Sequence, residues 1–293
     1  MRIAKAIALW GVVLCSVVLP ATAHAQVTFP PESTWRPLRC GNAPMGDGVA
    51  DQAGAIDERD IVGDAAAPAA LRSADATHLF LRLRVENDPA PGGALKASAW
   101  IMLFDLDGDR SNYELMLSAD AIANAAGTVS LFRNTVITQR GDPRDPADAP
   151  ATVTFPFAMN GRVVSAGSGF GNDADYFVDF AVPWNQLELV GLTRTTPTYV
   201  WAGTSSVAGL LDADIACHNG ASGPPGLETT SSDQTTGDPA SDPNDPGGPG
   251  GVGQLEGGGG CAVGGAGAGG GVALAALGLL GVLGSRRRRR HAR

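Results

Sequence analysis

Catalytic chemistry has little to stand on in this sequence. It holds four histidines in 293 residues. His24 and His291 lie at the two extremes of the chain, leaving His78 and His218 between them. There is no Gly-x-Ser-x-Gly elbow, no His-Glu-x-x-His and no Cys-x-x-Cys, so nucleophilic and zinc chemistry have no candidate set. Carboxylates are plentiful and a glycosidase needs only two, but abundance singles out no pair. A carboxylate-dependent glycoside hydrolase is therefore the weakest functional reading, and the chain is expected not to be an enzyme. Positive charge is also scarce: the formal net charge is -9 even with the terminal run Arg286–Arg290 counted. An acidic surface argues against nucleic acid and against anionic lipid as partners.

Long hydrophobic runs are confined to the two ends. Arg2 and Lys5 precede an apolar segment, Ala6 to Leu19, followed by Pro20 and Ala23-His24-Ala25. A basic start, a short apolar region and an A-x-A site make residues 1–25 a signal peptide, cut between Ala25 and Gln26. Cys15 follows Leu14, where a lipoprotein signal needs a small side chain, so Cys15 leaves with the leader. At the other end, Cys261 opens a Gly-rich spacer and a short apolar stretch, the span from Ala262 to Gly284 being just long enough to cross a bilayer. The arginines behind it would stay on the cytoplasmic side. Cysteine, Gly-rich spacer, hydrophobic helix and Arg cluster, in that order, resemble the MYXO-CTERM sorting tails of myxobacterial surface proteins. The resemblance covers residues 261–293. It implies that Cys261 is the processing and lipid-attachment point and that a sorting enzyme acts on the tail. The protein would then be exported, anchored to the membrane through the tail, and displayed on the outer-membrane surface after processing. A permanent single-span anchor is the simpler alternative.

Between these ends the chain reads as strands. Thr77 to Glu86 alternates Leu79, Leu81, Leu83 and Val85 with Phe80, Arg82, Arg84 and Glu86, a period of two with one apolar and one largely polar face. Ala97 to Phe104 is apolar on both faces and reads as a central strand. Further short strands are expected at Asn112–Ser118, Thr128–Arg133, Ala151–Phe157, Arg162–Ala166, Tyr176–Val182, Tyr199–Ser205 and Ala213–Cys217. Gly, Pro, Asn and Asp punctuate them, which predicts one all-β sandwich over residues 26–218. Helix is expected only at Ala119–Ala126 and at Pro183–Leu187. Residues 219–260 are Gly, Pro, Ser, Thr and Asp with almost no large apolar side chain, the composition of a disordered linker.

Two stretches carry a second resemblance. Trp100 to Glu114, an apolar strand with an Asp-x-Asp-Gly-Asp turn, and Tyr176 to Leu187, a strand running into Val182-Pro183-Trp184, are similar to parts of family 9 carbohydrate-binding-module-like and DOMON-like sandwiches. The match covers about half of the domain. It implies a jelly-roll-like exported module of a kind that often binds sugar or serves in adhesion. Haem, bound by some members through His or Met, is not carried over, since neither His78 nor His218 sits in a recognisable haem pattern. Two functions follow. One is a non-catalytic, surface-anchored binding module for an extracellular glycan or matrix; the other is a structural coat or adhesion protein without a small ligand.

Three sets of residues can be singled out. Asp105, Asp107 and Asp109 place hard oxygen ligands at alternate positions, as calcium loops begin. Counted from Asp105, an EF-hand's sixth position is Arg110 and its twelfth is Met116, so this is not an EF-hand. Glu114, or one of Asp173, Asp175 and Asp179, would have to complete a calcium site; otherwise the segment is a polar β-turn. Among the tryptophans, Trp100 and Trp201 lie within apolar strands and belong to the core, while Trp35 and Trp184 are the exposed candidates for stacking on a sugar. His78, at a strand start, is a rim residue. With Cys15 removed and Cys261 assigned to the tail, Cys40 and Cys217 remain in an oxidising compartment, and an even pair there is expected to form a disulfide.

Overall fold

The computed structural model describes residues 25–41, 43–52 and 56–217, together with Leu227 and Gln234–Thr236. The leader, His218, Cys261, the tail and most of the 219–260 span lie outside the described residues. Among the described residues no helix is long and apolar enough to cross a membrane.

Three short strands open the domain: β1 (Arg36–Pro37), β2 (Arg39–Cys40) and β3 (Ala43–Pro44). A hairpin follows, β4 (Ala70–Ala74) with β5 (His78–Val85). Next comes a meander of β6 (Ala99–Asp105), β7 (Leu115–Asp120), β8 (Thr128–Arg133) and β9 (Val153–Pro156). One turn of helix, α1 (Phe157–Asn160), leads into β10 (Gly161–Ser165) and β11 (Tyr176–Pro183). A second, α2 (Trp184–Glu188), precedes β12 (Pro197–Ser205), β13 (Asp214–Ile215) and β14 (Gln234–Thr236). One antiparallel sheet has the order β1-β4-β5-β11-β10, a second runs β13-β12-β6-β7-β8-β9 with β14 also paired to β12, and β2 and β3 form a third, two-stranded sheet. The protein is an all-β sandwich.

The alternation in β5 places Leu79, Leu81, Leu83 and Val85 on the inner face, beside Val178, Phe180 and Val182 of β11. They join Trp100, Met102 and Phe104 of β6 and Leu115 and Leu117 of β7 in one buried cluster. Each such side chain contributes about 1.5–3 kcal/mol when fully buried. The outer faces are covered as well. Trp35, with Val27 and Phe29, packs on Phe80 and Ala181, and Tyr113, Leu211 and Leu227 pack on Ile101, Leu103, Met116 and Trp201. The polar face expected of β5 is therefore interior. Arg82 lies fully buried between the rings of Trp35 and Phe177, 4.1 and 4.2 Å from their centroids. Its Nε and Nη2 donate to Asp179 at 2.6 and 2.8 Å, and Nη1 and Nη2 donate to Glu32.

Ala119–Ala126 is not helical. β7 runs on through Asp120, paired with Thr128, and a turn follows in which Asp120 Oδ1 accepts the Ile122 N–H at 2.7 Å. Gly127 closes that turn at a φ of +68°, where an added Cβ would meet Leu95. The helical reading of Pro183–Leu187 corresponds to α2. Within the span read as linker, the Leu227 carbonyl accepts from Trp201 Nε1 at 3.3 Å, and Gln234–Thr236 pair with Pro197–Tyr199. Cys40 and Cys217 are disulfide-bonded, with Cα atoms 5.8 Å apart, so the last strand region is fastened to the opening segment.

Candidate metal centre

β6 ends at Asp105 and β7 begins at Leu115, so residues 106–114 form the hairpin loop between two central strands. The loop is shaped by its own acids. Asp105 Oδ1 accepts the N–H groups of Asp107 and Gly108 at 2.9 and 2.6 Å, and Gly108 takes a φ of +84°, a backbone region glycine enters without strain. Glu114 Oε2 accepts the Leu106 N–H at 2.7 Å, and Oε1 accepts Asn112 Nδ2 at 2.7 Å. These bonds are those of a polar turn, and they leave two oxygens over. Asp105, 1% exposed, keeps Oδ2 buried with no hydrogen-bond partner among the described residues; Asn112, 7% exposed, keeps Oδ1 in the same condition. Buried acceptors of this kind are costly unless something donates to them or coordinates them. Carboxylate oxygens of Asp105, Asp107 and Glu114 lie within 4.8 Å of one another, a spread that fits ligands about 2.4 Å from one calcium ion.

Of the four acids expected here, Asp109 is not in the cluster. Its Oδ2 pairs with Arg140 at 2.6 Å and its Oδ1 accepts from the Ser111 hydroxyl at 2.6 Å. Those two donors hold its carboxyl below the usual range. The other candidates to complete the site are also elsewhere. Asp179 is on β11 and Asp175 just before it, in the opposite sheet, where they face Arg82 and Arg84. Asn112 was not singled out by sequence, because an amide two residues from a glutamate is ordinary loop composition; only the fold aims it at Glu114.

The tryptophan expectations divide. Trp100 and Trp201 are core. Trp35 and Trp184 are buried too, at 6% and 3% exposure, so neither presents a free face for stacking on a sugar. Trp35 is covered because the opening segment folds over β5. Trp184 donates Nε1 to the Asp75 carbonyl at 3.2 Å and lies under the Arg194 guanidinium, 4.7 Å from its ring centroid. His78 is half-buried, with Nδ1 2.7 Å from the Thr77 hydroxyl. Burial lowers its pKa, and the nearby Asp75 carboxylate works against that shift.

No family model, curated protein or solved structure matches this chain. Its class is set by fold and site alone: an all-β sandwich with an oxygen-lined loop between two central strands.

The electrostatics of the loop yield a testable pH dependence. Burial, with the negative charges of Asp107, Asp105 and Asp109 close by, pushes the Glu114 carboxyl up to about 7 from 4.5. The folded, metal-free protein then holds a proton that the unfolded chain gives up between those values. Stability from this group is complete below about pH 4.5, falls as pH rises, and is gone above about pH 7. We expect the metal-free protein to lose Tm across that window, calcium to restore it at pH 7, and Glu114→Gln to flatten the profile. Calorimetric scans from pH 4.5 to 7.5 check this; identical slopes in wild type and Glu114→Gln would contradict it.

Proposed function

We propose that the protein is an exported, surface-anchored, non-catalytic binding module whose ligand is an extracellular glycan or matrix polysaccharide. The observation that carries the export half is the Cys40–Cys217 bond, since structural disulfides persist in oxidising compartments and are rare in reducing ones. The signal peptide and the tail that resembles MYXO-CTERM support the same reading from the sequence. In it, the tail anchors the protein to the membrane, a sorting enzyme processes it at Cys261, and the sandwich is held at the outer surface by the linker. The similarity of Trp100–Glu114 and Tyr176–Leu187 to family 9 carbohydrate-binding-module-like sandwiches supports a sugar ligand. Calcium at Asp105, Asp107, Glu114 and Asn112 would serve as a structural cofactor that fixes the loop between β6 and β7.

A groove of about 650 Å³ at the β11–α2 turn is the place we assign to the ligand. It is lined by His78, Phe155, Asn185, Gln186, Glu188 and Arg194, with Trp184 beneath. Planar amide, carboxylate and guanidinium groups around the half-buried Phe155 ring suit the paired hydroxyls and apolar faces of a pyranose. The test is a glycan-array screen of the exported protein with and without calcium. Binding to a polysaccharide class that weakens at least tenfold in Asn185→Ala/Gln186→Ala is the expected result. Absence of binding to every glycan in both conditions would move the reading to a structural coat or adhesion protein.

A further inference from the structure

A second group of acids lies where the start and end of the domain meet. Asp47 pairs with Gly63 through reciprocal backbone bonds of 2.9 and 3.1 Å, Asp51 follows in the next turn, and Asp214 stands across from them on β13. Carboxylate oxygens of these three lie within 4.8 Å of one another; Asp47 and Asp214 are buried and Asp51 half-buried. Acids in proximity do not by themselves make a site; Gln52 adds an independent feature. That side chain is 3% exposed. Its Nε2 donates to Asp214 Oδ1 at 2.5 Å and to the Ile215 carbonyl at 3.0 Å, which fixes the amide against the acids. Its Oε1 is buried and has no hydrogen-bond partner among the described residues. The Gln52 amide oxygen is thus an unsatisfied hard donor on a buried side chain fixed to one of the three acids, and the set contains no sulfur or imidazole.

The surroundings sharpen the point. Asp214 Oδ2 accepts the Ile61 N–H at 2.6 Å and Oδ1 the Ile215 N–H at 2.8 Å. Asp60, also buried, accepts the Ala50 N–H at 2.7 Å. Burial raises the Asp214 carboxyl, and the charges of Asp51 and Asp60 raise it further. An all-oxygen donor set within 4.8 Å fits calcium, which takes six to eight oxygens at about 2.3–2.6 Å with flexible geometry.

We propose that Asp47, Asp51, Asp214 and the amide oxygen of Gln52 form a second calcium site, one that latches residues 47–52 onto β13. The latch lies beside the Cys40–Cys217 bridge, where the Cys217 N–H also donates to the Gly46 carbonyl at 3.1 Å. It is independent of the loop between β6 and β7 and of the glycan reading.

Calcium titration of the chelator-treated full-length protein, followed by amide hydrogen exchange with mass readout, tests the proposal. Calcium is expected to slow exchange in peptides covering 47–61 and 213–216. Asp51→Asn, at the most accessible of the ligands, should weaken calcium affinity in those peptides at least tenfold, and Asp214→Asn should abolish the protection. Glu114→Gln should leave it intact. Protection of 47–61 without any at 103–114 would leave the latch standing and remove the loop site. Protection only at 103–114, no calcium effect in either region, or full-strength protection of 47–61 in Asp51→Asn would overturn the latch.

Discussion

Removing the Cys40–Cys217 bond is expected to be the most damaging single change to the domain. The bridge closes a loop of 177 residues, for which the chain-entropy model gives about 5 kcal/mol, an upper figure because measured values often fall short. The structure adds a local reason. Cys217 sits at a φ of +75° at the end of the β13 region, and Cys40 ends β2 in the ribbon that leads to Met45 and Asp47. Without the bond, the opening segment and β13 would be free to part, exposing Leu38 and Met45, both in the core. Cys40→Ser should therefore lower stability by about 3–5 kcal/mol, and since a change of 1 kcal/mol moves Tm by roughly 2–4 °C in a domain of this size, Tm should fall by about 6–20 °C. Denaturant unfolding of the oxidised, reduced and Cys40→Ser proteins checks it. Equal midpoints for all three would show that the bond does not constrain the fold.

The second large effect lies on the outer face of the five-stranded sheet. Asp179 is fully buried and receives Arg82 at 2.6 and 2.8 Å and Arg162 at 2.7 Å. Glu32, the other partner of Arg82, is 72% exposed at its side chain, so it offsets the Arg82 charge less well. Asp179→Ala would strand the guanidinium between Trp35 and Phe177. Breaking a buried pair on one side costs about 3–5 kcal/mol, and we expect about 3 kcal/mol here because Glu32 remains. Replacing both partners, Arg82→Met with Asp179→Leu, removes the stranded charge and should cost less than the sum of the single changes. A double-mutant cycle measured by urea unfolding decides it: strict additivity would mean that the two groups do not stabilise one another.

The same strand shows how much could be read from sequence. Alternation located β5, and unbroken apolarity marked β6 as central, because a period of two and double-sided burial are local properties of a chain. Thr128–Arg133 matches β8 at both ends. What alternation could not show was the cover. Arg82 and Arg84 look like a solvated face until Trp35 and Glu32 are seen against Arg82, and Pro68 and Ser168 against Arg84; the contact between Trp35 and Arg82 joins positions far apart in the chain. That cover also explains why the exposed platform expected of Trp35 is missing. The loop after β6 was legible as an acidic turn, but which acid turns inward depended on Arg140, a cation from another loop that draws Asp109 away. Asp47, Asp51 and Asp214 carry no spacing signal at all, because the fold alone brings the two ends of the domain together.

The proposal that this sandwich is an exported and anchored module is checked by the intact mass of the protein released from the surface of living cells by a non-reducing treatment. We expect a chain that begins at Gln26, lacks two hydrogens through the Cys40–Cys217 bond, and has been processed at Cys261. A protein recovered only from the cytoplasmic fraction, still beginning at Met1 and with both thiols free, would contradict it.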